Sequence, residues 1–131
     1  MNNTNLKVDE MPQPKLKQAV FETGALKRSL VFIREENMHL KNRVSEILQN
    51  GFDKKMLNKM EIFQNRFIME DELVSLLRND VAEIDRLLIN EGKAIAEINK
   101  KLRKLSCNIE VAESHFGKLK LEFNNFLSEN I

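Results

Sequence analysis

From Met56 to Phe126 the chain carries an apolar residue at nearly every step of a frame that alternates three and four residues. It runs through Met60, Phe63, Phe67, Val74, Leu77, Val81, Ile84 and Leu88, then Ile95, Ile98, Leu102, Leu105, Ile109, Ala112, Phe116, Leu119, Phe123 and Phe126. Only Glu70 and Glu91 interrupt it. A seven-residue apolar repeat of this length is the signature of a coiled coil or long helical bundle, because it turns one stripe of each helix towards a neighbour. Such a repeat specifies shape and pairing and carries no chemistry.

A second frame precedes it: Leu16, Ala19, Thr23, Leu26, Leu30, Ile33, Asn37, Leu40, Val44 and Ile47. It predicts a first helix over 15–49, with Val20, Val31, Phe32 and Leu48 widening the apolar face as bundle packing requires. Residues 1–14 are polar, rich in Asn and closed by Pro12 and Pro14, and read as a disordered N-terminal arm. The first helix ends at Asn50 and Gly51. Gly51 suits the left-handed position after a helix, with Phe52 touching Ile47, and Asp53 can cap the next helix. The frame also changes phase there, so a tight turn is expected over 50–53.

The second helix is expected over 53–90. Asn90, Glu91 and Gly92 then pose a fork. A helix continuing through Gly92 makes a long helical hairpin extended into a coiled-coil arm over 93–129, roughly 50 Å long at the α-helical rise. A turn at Asn90–Gly92 instead makes an antiparallel three-helix bundle. No capping residue follows Gly92, and the frame passes it in phase, which a turn preserves only by chance, roughly once in seven. The favoured expectation is therefore the hairpin with an arm. Ile62, Ile68, Met69, Leu73, Leu76, Leu87 and Ile89 lie off the frame where helix 1 can cover them, and off-frame apolar residues thin out beyond. An arm cannot bury its seam alone. Its seam, Ile95, Ile98, Leu102, Leu105, Ile109, Phe116, Leu119, Phe123 and Phe126, is the expected partner-binding surface for a second copy, giving a homodimer, or for a foreign helix.

Folding back about the first turn brings Asn37 within about one turn of Glu70. With Arg34 and Arg66 at the same level, the expectation is a polar layer that fixes register at some cost in stability. The alternative is that Glu70 reaches solvent at a bundle edge.

Chemistry is sparse. No Gly-rich phosphate loop, paired cysteines or nucleophile motif occurs, and His39 and His115 stand apart from each other and from any ligand spacing. No catalytic residue, metal, cofactor or small-molecule substrate is expected, and both histidines should face solvent. The formal net charge of +1 supplies no overall field for nucleic acid or an anionic membrane. Lys100, Lys101, Arg103 and Lys104 form the densest basic cluster, a possible phosphate contact, diluted by Glu97, Glu110 and Glu113 and lacking interleaved aromatics. Cys107, the one cysteine, falls at a polar position and so reads as an exposed free thiol, and no apolar run approaches a membrane span. The expectation is a cytoplasmic, non-enzymatic coiled-coil interaction protein: an assembly factor, adaptor or scaffold. The alternatives are a nucleic-acid-associated protein using the Lys100–Lys104 face, or a holdase-like helical chaperone.

Overall fold

In a computed structural model, which describes residues 13–51, 53–89 and 95–131 except the side chain of Gln13, the chain forms three helices. These are α1 (Gln13–Gln49), α2 (Lys54–Ile89) and α3 (Ile95–Asn130), and no strand occurs among the described residues. Helix α1 begins two residues before the expected start and includes Pro14. Proline is tolerated in a first turn because its missing N–H would have no helical acceptor there. The rest of the N-terminal arm lies outside the described residues.

Between α1 and α2 the chain turns where the frame changes phase. Gly51 adopts φ 69°, a conformation that glycine enters without the Cβ penalty. The Asn50 amide donates to the carbonyls of Glu46 and Ile47, both at 3.2 Å. Asp53 then caps α2, its Oδ1 accepting from the Met56 amide at 2.9 Å. The expected Phe52–Ile47 contact lies outside the described residues.

Side-chain bridges fix the directions of the helices. Lys27–Asp85 (2.6 Å) and Lys41–Asp71 join α1 to an antiparallel α2. Arg66–Glu122 and Glu70–His115 join α2 to an antiparallel α3. Lys120–Glu36, and a groove shared by Gln18, Glu22, Asn99 and Arg103, set α3 parallel to α1. This corrects the favoured expectation: α3 is no protruding arm but packs on both other helices, as in the three-helix alternative. The turn at Asn90–Gly92 itself lies outside the described residues. Phase misled because each helix of a bundle needs its own inward stripe, so a frame can resume in step whether the chain continues or reverses.

The core is one stripe from each helix. Ala19, Leu30 and Ile33 of α1 meet Val74, Leu77, Val81 and Ile84 of α2 and Ile98, Leu102, Leu105, Ile109, Ala112 and Phe116 of α3. Near the Gly51 turn, Val44, Ile47, Met60, Phe63, Phe67, Leu119 and Phe123 form a second cluster. There the rings of Phe63 and Phe67 each meet Phe123 edge-on, with centroids 5.1 and 5.2 Å apart, a favoured aromatic geometry.

The seam assigned to a partner therefore serves the chain's own core. Ile98, Leu102, Leu105, Ile109, Phe116, Leu119 and Phe123 are buried, and Ile95 and Phe126 half-buried. The off-frame residues fare in the opposite way. Leu48, Leu73 and Leu87 are half-buried, whereas Val20, Val31, Phe32, Ile62, Ile68, Met69, Leu76 and Ile89 stay exposed. A helix with two neighbours has only its inward stripe and flanks covered, so its outer face keeps whatever the sequence puts there.

Candidate interaction surface

Two kinds of feature could carry function here: the polar layer inside the bundle and the side chains left outside it. Asn37 is fully buried and Glu70 nearly so, at 0% and 2% exposure. The Asn37 amide group donates to the Phe67 carbonyl at 2.9 Å and to Asp71 Oδ1 at 2.6 Å, and Lys41 bonds the other Asp71 oxygen. Glu70 Oε1 lies 3.3 Å from His115 Nδ1. Asn37 Oδ1 and Glu70 Oε2 are buried with no hydrogen-bond partner among the described residues. Orphaned acceptors cost free energy, so this layer is expensive to bury.

The arginines expected in this layer go elsewhere. Arg66 sits on the α3 side of α2 and forks onto both carboxylate oxygens of Glu122 at 2.9 Å each, its guanidinium 5.6 Å from the Phe63 ring centre. That pairing raises the Arg66 pKa and holds Glu122 below the usual carboxylate range. Arg34 lies on the opposite side, lining a groove of about 240 Å³ with Met38, Lys41, Asp71, Val74, Ser75 and Arg78. It stands seven residues from both Lys27 and Lys41, as Arg78 does from both Asp71 and Asp85, so two like charges share the groove between two Lys–Asp rungs. The partner that sequence reasoning missed is His115. Its ring is largely exposed, as expected, yet one nitrogen reaches Glu70, and only the placement of α3 reveals it.

The basic cluster is spread over more than one groove. Lys100, Lys101, Arg103 and Lys104 are all exposed, but Lys101 and Lys104 line a groove of about 320 Å³ with Asp80 and Glu83. Arg103 lines a different groove beside Glu22. Lys120 is committed to Glu36, and its hydrogen bond lowers the Glu36 pKa. Cys107 is free and exposed, and His39 is exposed. Among the described residues no group of three or more His, Cys, Asp or Glu is placed to hold a metal, and no helix is long and apolar enough to cross a membrane.

Exposed apolar side chains are more concentrated. On α1 they are Val20, Phe21, Val31, Phe32 and Met38; on α2, Ile62, Ile68, Met69, Leu76 and Ile89; on α3, Val111 and Leu121. Phe21 and Phe32 are 66% and 61% exposed, Met69 66% and Leu76 62%. Scattered single apolar residues are normal on a surface; rows of them along one helix face are not. Comparison with protein families, with curated proteins and with solved structures finds no match for this chain.

Proposed function

We propose that this chain is a non-enzymatic helical protein that works through helix–helix association, as an assembly factor, adaptor or scaffold. The observation that carries this is the set of large apolar side chains left on the outer faces of α1 and α2 while the inner stripes are filled. With the α3 seam serving the core, the working surface is the outside of the bundle, above all Phe21 and Phe32 on α1 and Ile62, Met69 and Leu76 on α2. Burying such side chains against a partner is worth about 25 cal/mol per Å² of apolar area, which gives association a driving force without a pocket or a cofactor. Inside, Asn37 and Glu70 fix the register of the hairpin that presents these faces.

The test is a variant with Phe21, Phe32, Ile62, Met69 and Leu76 all replaced by serine. It should keep its helix content by circular dichroism and lose the proteins that the unaltered chain retains from an extract of its source cells. Equal retention would end the reading.

The nucleic-acid alternative has weaker support, since carboxylates share the grooves of the basic side chains. Duplex titration at low salt tests it, and binding that weakens steeply with added salt would favour it. The holdase alternative needs paired free arms and gains nothing from a third helix packed on the other two.

A further inference from the structure

One column of α2 has a symmetry that the core frame does not require. Lys55, Ile62, Met69, Leu76 and Glu83 follow one another at intervals of seven and therefore share one strip of the helix surface. The strip is open: Lys55 is exposed, Ile62, Met69 and Leu76 are 51%, 66% and 62% exposed, and Glu83 is half-exposed. Reading it backwards exchanges basic for acidic at the ends, aliphatic for aliphatic inside, and returns Met69 to itself.

We infer that this strip is a docking face for a second copy of the chain, the two α2 helices crossing antiparallel about a two-fold axis at Met69. The inference rests on the association reading and names its partner. A two-fold contact is self-complementary, because every residue meets its counterpart reflected through the axis. Here Ile62 meets Leu76 of the second copy, Met69 meets Met69, and Lys55 meets Glu83. Lys59 comes within about a turn of Asp80 of the second copy. Parallel pairing in register would instead set Lys55 against Lys55 and Glu83 against Glu83, so the charges select the antiparallel mode. Methionine suits the axis, since its unbranched thioether adapts to its own copy.

Glu83 already bonds Arg86 on its own helix and shares a groove with Lys101 and Lys104. These are exposed charges whose pairing contributes little, so an exchange for Lys55 of the second copy costs little. A contact along one helix is near the low end of specific interfaces, on the order of 1,000 Å² in total. The dimer is accordingly a weak, concentration-dependent one.

Sedimentation equilibrium of the full chain over a concentration series tests this. The weight-average mass should rise from 15.3 kDa towards twice that value. M69E, which sets two carboxylates against each other on the axis, should weaken self-association about tenfold or more with unchanged helix content. K55E alone and E83K alone should each weaken it, and K55E/E83K should restore it, since the swapped pair is again complementary. A mass of 15.3 kDa throughout the series would overturn the inference, as would an M69E variant that associates like the unaltered chain. A double variant no better than the singles would overturn the antiparallel register. Self-association abolished by F21E/F32E but not by M69E would overturn the inference while leaving the association reading standing. Where the unaltered chain is monomeric, the five-serine variant decides that reading separately.

Discussion

Phe67 and Glu70 are neighbours on the inner face of α2, one helical turn apart and buried to nearly the same degree. Towards the Gly51 turn, Phe67 joins Phe63 and Phe123 in a cluster in which both other rings meet Phe123 edge-on. Towards the middle of the bundle, Glu70 and Asn37 bring polar groups into the same stripe, and one oxygen of each has no donor among the described residues. The first arrangement contributes stability through area and packing. The second is expected to give stability up, and the role we propose for it in return is discrimination: Asn37 fits opposite the Phe67 carbonyl and Asp71, and a leucine layer would fit many alignments equally. Burial alone does not tell which residues hold a fold together and which ones select it.

The largest test strikes the aromatic side. Phe67→Ala should destabilise by about 3–5 kcal/mol, because the transfer term and the residual cavity add, and urea unfolding would read it. A loss below 1 kcal/mol would mean that the cluster collapses around the gap. The polar side should respond with the opposite sign. N37L/E70L should stabilise by about 1–4 kcal/mol, since removing two orphaned buried acceptors and filling their space with apolar groups outweighs the lost Asn37 bonds to the Phe67 carbonyl and Asp71. It should also broaden the amide NMR spectrum or the mass distribution, as alternative alignments become populated. A double variant that melts lower and stays uniform would remove the register role. Asn37→Leu alone should shift both observables in the same directions by less.

Smaller effects attach to the charges beside each layer. Arg66→Gln removes the fork onto Glu122 and the stacking over Phe63 and should cost about 0.5–1 kcal/mol, as exposed pairs do. The smallest is acid sensitivity. Glu122 beside Arg66 and Glu36 beside Lys120 are both held below the usual carboxylate range. A carboxyl whose pKa is lower folded than unfolded supports the fold above the ordinary glutamate range and loses that support as pH falls through the lowered value. Melting temperature should therefore drop slightly on acidification below the ordinary range, and by less in Arg66→Gln, where the Glu122 share is already gone.

Much of this architecture is legible in the residues. The three inward stripes are written in the frames, and the first turn is written three times over, in Gly51, Asp53 and the change of phase. Asn37 and Glu70 stand out as polar breaks because everything around them is apolar. What escapes is whatever depends on where α3 lies. The frame from Leu88 to Ile95 carries the same phase for a reversed chain as for a continuous one, so the seam that looked free is the chain's own core. His115 meets Glu70, and Arg66 meets Glu122, across a pairing that no local pattern encodes. The outer apolar residues misled for a related reason: Ile62 and Met69 look like core by chemistry, and only the number of neighbours around α2 decides that they are not.

The fastening of α3 is lopsided. Its cross-helix bridges to α1 and α2, from His115, Lys120 and Glu122, all fall in its C-terminal half, which also holds Phe123 in the aromatic cluster. From Ile95 to Ile109 no side-chain hydrogen bond or ion pair to another helix occurs among the described residues, and adhesion there is by aliphatic packing alone. Local opening follows the weakest attachment, so the helix should peel from its Ile95 end while the Phe123 end stays seated. Amide hydrogen exchange would register this as protection that climbs along α3 from its beginning towards Phe123. During each brief opening Ile98, Leu102 and Leu105 would face water, an intermittent seam that the closed bundle keeps to itself.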